Sequence, residues 1–172
     1  PLRLVGSEMC IRDSINTYRA KGILIDTNLL LLLIIGGTPS IKKFKRTNTY
    51  TASDYDLLIR LIDRFSRIIA TPHILAEVSN LTNGLFGGQL DDFYKTLKES
   101  LTSIILEVHE PAYEIAEKFN LSPYGLADVG IMSIAKNNYL VLTDDLRVAN
   151  FALQSGVDVI NFNHVRDVIW SN

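Results

Sequence analysis

The chain is 172 residues long, 47% hydrophobic and 21% charged, with a formal net charge of −2. That length suits one domain with a real core, and the near-neutral balance excludes a wholesale basic coat, so any nucleic-acid contact needs a local patch. A single cysteine, Cys10, excludes an internal disulfide framework or a multi-thiolate zinc site and fits a reducing cytoplasm.

Residues 1–14 show neither helical nor strand periodicity. The run Ser7-Glu8-Met9-Cys10-Ile11-Arg12-Asp13-Ser14 resembles a translated sequencing adapter, so 1–14 is expected to be disordered or artefactual, ahead of one domain over 15–172. Ile23 to Ile25 reads as a buried strand, and Leu29 to Ile35 as an apolar helix stopped by Gly36-Gly37 and Pro39. A membrane-spanning helix needs about 20 mostly apolar residues, and Asp26, Thr27 and Asn28 interrupt this stretch, so it belongs to a core. No signal peptide is visible.

Residues 38–52 read as a polar loop, and Ser53 as the cap of a helix with Leu58, Leu61, Ile62 and Phe65 on its stripe. Arg67 to Ala70 is a second strand. Thr71-Pro72 starts a helix running to about Leu81, and another carries Leu90, Phe93, Tyr94, Leu97 and Leu101. Ile104 to Val108 is a third strand, Pro111 opens a helix, and a further helix spans about Leu126 to Lys136. Tyr139 to Leu142, a helix from Asp145 to Gln154, Val157 to Ile160 and a short helix from His164 to Trp170 complete the chain. Strands separated by helices predict an α/β fold: a single-domain three-layer α/β/α arrangement on a five-stranded parallel sheet.

Acidic residues fall at telling places in this pattern. Asp26 and the pair Asp144 and Asp145 follow strand carboxyl ends, where open parallel sheets place their ligand crevice. Glu77 shares a helix stripe with Ile74 and Leu81, and Asp128 with Ile131, Met132 and Ala135, so both turn toward the packed side. Each alone has an ordinary role open to it, as a helix cap or a solvated side chain. Together they predict a site for a divalent cation, since clustered carboxylates raise one another's proton affinity. Oxygen-only ligands favour Mg²⁺ or Mn²⁺, and His73, His109 and His164 lack zinc-ligand spacing.

The segments Ile25-Asp26-Thr27-Asn28, Glu77 after Thr71-Pro72, Leu126-Ala127-Asp128 and Thr143-Asp144-Asp145-Leu146 resemble, in this order, the pattern of PIN-domain ribonucleases. That family includes the VapC-type toxins of toxin–antitoxin pairs. The resemblance covers residues 22–162 and implies a PIN-like five-stranded sheet with metal-dependent cleavage of RNA. It implies Asp26, Glu77, Asp128 and Asp145 as catalytic residues and metal ligands; Asp144 is equally able to bind, although the Thr-x-Asp spelling selects Asp145. Asn28 and Thr143 match polar positions that support the site by hydrogen bonds. A homodimer and an antitoxin protein as partner are also implied. The segments 38–52 and 83–100 are longer than a compact toxin needs.

Lys42, Lys43, Lys45 and Arg46 surround Phe44, a composition suited to phosphate contact and base stacking in bound RNA. A binding or regulatory module without turnover is the rival reading. A receiver or haloacid-type phosphatase fits less well: Asn28 stands where a second Asp is needed, and no strand-end Lys follows Leu142.

Overall fold

The innermost strands are apolar on both faces and so must be covered on both. In the computed structural model, which describes residues 8–38, 44–122 and 124–170, β1 (Ile23–Ile25) and β4 (Leu140–Thr143) are buried along their whole length. They pair in parallel, with Ile23 opposite Leu140 and Ile25 opposite Leu142. β2 (Ile68–Ala70) and β3 (Ile105–Glu107) extend the sheet on one side and β5 (Val159–Asn161) on the other, in the order β3-β2-β1-β4-β5. The chain moves outward from β1 through β2 to β3, then returns beside β1 and moves the other way. This reversal puts a crevice at the carboxyl ends of β1 and β4.

The helices among the described residues are α1 (Glu8–Tyr18), α2 (Thr27–Ile35), α3 (Ala52–Ile62), α4 (Pro72–Asn80), α5 (Gly88–Ser103), α6 (Ala112–Lys118), α7 (Gly125–Ala135), α8 (Leu146–Gln154) and α9 (Phe162–Trp170). With the sheet they make the single-domain three-layer α/β/α fold expected from the sequence. Leu29 to Leu32 are fully buried, because α2 packs on α3, α4 and α5 and its first turn follows directly from the central strand. Gly36 ends α2 against α3: a Cβ there would lie 2.1 Å from Tyr55 Cδ2, so only glycine allows this approach. Among the described residues no helix is long and apolar enough to cross a membrane.

Three expectations change. Residues 8–14 are helical rather than irregular, because Ile11, Ile15 and Tyr18 lie along one face and pack on the core; residues 1–7 lie outside the described residues. Thr51, not Ser53, caps α3: its hydroxyl accepts from Asp54 N while the Asp54 carboxylate accepts from Thr51 N, a reciprocal pair that Ser53 does not make. The loop between α2 and α3 is polar in composition yet packed, with Phe44, Thr47 and Tyr50 buried.

Asp54 does more than cap. It is 1% exposed and receives Arg166 Nε at 2.8 Å and Nη2 at 3.1 Å, a two-pronged bond that fastens α9 to the start of α3. Burial pushes the Asp54 carboxyl up, but the bonds from Arg166 and Thr51 outweigh it and hold its pKa below the usual carboxylate value. Asp54→Ala is therefore expected to cost about 2–4 kcal/mol in urea unfolding at pH 7, from a lost cap and an unpaired arginine. A carboxyl with a depressed pKa stabilises only while charged, so the gap to wild type should close as the pH falls below about 4.

Candidate metal centre

The crevice between β1 and β4 holds a cavity of about 220 Å³, lined by Asp26, Glu77, Asp128 and Asp145 together with Arg46 and Arg147. Four segments remote in sequence supply these carboxylates: the end of β1, the middle of α4, the first turn of α7 and the end of β4.

Asp26 is 7% exposed and fixed by two amides. Its Oδ1 accepts from Leu29 N at 2.9 Å, capping α2, and its Oδ2 accepts from Asp144 N at 3.1 Å, across the β1–β4 junction. Burial, and then the charge of Asp144, push its pKa up to about 8, against hydrogen bonds from Thr143, Leu29 and Asp144 that pull it down. Asp128 is half-buried, and burial followed by the charges of Asp145 and Glu77 raises it to about 6; Arg147 and Arg46 oppose the rise. The repulsion identifies Asp128, Asp145 and Glu77 as electrostatic neighbours. Asp145 caps α8, accepting from Arg147 N at 2.7 Å, and its own amide donates to Thr143 Oγ1.

Glu77 sits at the rim with both oxygens engaged. Thr27 Oγ1 donates to Oε2 at 2.8 Å, and Arg46 Nη1 lies 3.1 Å from Oε1. The same Arg46 nitrogen donates to Asn28 Oδ1, whose Nδ2 donates to Asp144 Oδ1 at 3.0 Å. Asp144 is the acid that the structure does not bring to the cavity. Tyr50 donates to its Oδ2 at 2.5 Å, and Asn163 donates to its backbone carbonyl. The two adjacent aspartates thus separate: Asp145 lines the cavity, while Asp144 braces the loop behind it. No family model, curated protein or solved structure matches the chain.

The basic run is divided in the same way. Arg46 turns inward to the acids, Lys45 is exposed away from the cavity lining, and Lys42 and Lys43 lie outside the described residues. Phe44 is 7% exposed and held in the core, so it is not available to stack on a base. Tyr94 on α5 is exposed and shares a hydrogen bond with Ser79. Sequence reasoning overlooked Tyr50, Thr27 and Arg147. Of these, Arg147 had a signal, standing two residues after Asp145 in the first turn of α8. There it faces the cavity and lies over the Tyr124 ring, which stacks on Phe151 at 4.0 Å.

Among the described residues, no group of three or more His, Cys, Asp and Glu side chains is closed tightly enough to hold a metal ion. The donor chemistry nevertheless suits a hard cation: carboxylate oxygens only, mutual repulsion between them, and a guanidinium as the positive charge now bound to Glu77. Asp26, Asp128 and Asp145, with Glu77 once released, are the residues that would have to hold it.

Raised pKa values mean that the folded protein keeps protons which the unfolded chain gives up above about pH 4. Stability from these groups is therefore fully present in acid and lost as the pH rises through about 6 for Asp128 and 8 for Asp26. In chelator, Asp128→Asn should unfold at a higher temperature than wild type at pH 8. With solvent screening discounted the gain is about 1 kcal/mol, and it should shrink below pH 6 and disappear near pH 4. A melting series from pH 4 to 9 reads this directly.

Proposed function

We propose that this chain is a divalent-metal-dependent endoribonuclease, a hydrolase that cleaves RNA phosphodiester bonds with Mg²⁺ or Mn²⁺. The observation that carries the proposal is the convergence of Asp26, Glu77, Asp128 and Asp145 on one cavity at the reversal point of the sheet. RNA as the substrate comes from the resemblance to PIN-domain ribonucleases. A toxin role, an antitoxin partner and a homodimer rest on that resemblance alone.

A bound cation would supply an activated water and neutralise charge at the scissile phosphate. The chain's own residues would do the rest. Asp26 is rigidly held by two amides and offers a fixed anchor, while Asp128 and Asp145 present carboxylates from two helix starts. Glu77, half-exposed at the rim, would orient the water or bind directly once Arg46 moves. Arg46 and Arg147 place positive charge where phosphates must approach an acidic cavity.

A nucleic-acid-binding or regulatory module without turnover is favoured by one feature, the engagement of both Glu77 oxygens within the protein. Incubating purified protein with an RNA panel in Mg²⁺, Mn²⁺ or EDTA separates the two readings. Cleavage is expected with either metal and not with chelator. Asp26→Asn, which can still cap α2, should lower the rate by about 100-fold or more while the circular dichroism spectrum is retained. Cleavage that ignores EDTA, or wild-type activity in Asp26→Asn, would remove the metal mechanism.

A further inference from the structure

We propose that Arg46 is a built-in counter-cation that holds Glu77 closed until the phosphate backbone of single-stranded RNA draws it away, so that RNA and divalent cation bind cooperatively. The inference rests on the metal-nuclease reading and gives that site its regulation.

The geometry is that of a latch. One nitrogen, Arg46 Nη1, bridges Glu77 Oε1 and Asn28 Oδ1 at 3.1 Å each, and Thr27 already occupies the other Glu77 oxygen. While Arg46 stays there, its charge neutralises Glu77 and opposes a cation approaching Oε1. The backbone of the latch is packed while its side chain reaches solvent: Phe44, Thr47 and Tyr50 are buried on either side of Arg46, whereas the Arg46 side chain is 43% exposed and that of Glu77 36%. An ion pair so exposed is weak, which lets it exchange partners without disturbing the fold.

Phosphate is the partner suited to take Arg46. A guanidinium forks onto two phosphate oxygens, whereas here one nitrogen is shared between a carboxylate and an amide. Once Arg46 has moved, the Glu77 charge is no longer neutralised and the rim loses a positive charge that repels a cation. Linkage makes the effect reciprocal, so RNA must tighten cation binding by the same factor as the cation tightens RNA binding.

Calorimetric titration of Mn²⁺ into the full chain at pH 7.5 tests this without turnover. The probe is a short single-stranded 2′-O-methyl phosphorothioate oligonucleotide, present at saturation or absent. Wild type should bind Mn²⁺ about five-fold more tightly with the oligonucleotide than without it, the range open to one exposed ion pair. R46Q should show that tighter binding already without the oligonucleotide and gain nothing from adding it; R46K should fall between. If R46Q binds Mn²⁺ no more tightly than wild type, or still couples to the oligonucleotide, the latch is wrong while the metal centre stands. If wild type binds no Mn²⁺ under either condition, the latch and the metal centre fall together.

Discussion

A single buried carboxylate joins the fold to the site. Asp26 ends the central strand, starts α2 through Leu29 N, and receives the amide of Asp144 from the neighbouring strand. A neutral isostere such as Asn could still cap α2 but has no second acceptor for the Asp144 amide, so the bond across the β1–β4 junction depends on the carboxylate's second oxygen. The price is a raised proton affinity, because burial and Asp144 oppose its charge. The starts of α2, α7 and α8 meet at this rim, and their partial positive charges offset the acids in part. The remaining imbalance is what a cation would relieve.

Behind the cavity a second network is fully satisfied. Tyr50 and Asn28 hold the Asp144 carboxylate, Asn163 holds its carbonyl, and Arg166 bonds Asn163 and Asp54 while lying over the Tyr50 ring at 4.9 Å. These contacts fix the turn after β4 and so aim Asp145 at the cavity. Asp144 and Asp145 thereby divide the work: the first is locked by neutral donors, and the second caps a helix beside open space.

The sheet was readable because its strands are apolar runs bounded by helix starts such as Thr71-Pro72, a signal that survives without tertiary knowledge. The placement of the four cavity acids was readable for a related reason, since strand ends and helix stripes are local features. What stayed hidden depends on partners distant in the chain. The Asp54–Arg166 bond spans 112 positions, and Arg46 looked like a surface cation because Glu77 lies on another helix. The choice between Asp144 and Asp145 turned on Tyr50, which no spacing rule connects to them. α1 was missed because polar residues separate Ile11, Ile15 and Tyr18, so its apolar stripe is thin.

The turn from Phe44 to Tyr50 carries two tasks on one short stretch of backbone. Arg46 faces the acids, and Tyr50, four positions later, clamps Asp144 from the other side, with Thr47 completely buried between them. An insertion or deletion there would move one contact out of phase with the other, whatever residues were chosen. Divergent descendants of this chain should therefore vary this turn by substitution and keep its length, although connecting segments usually drift in size.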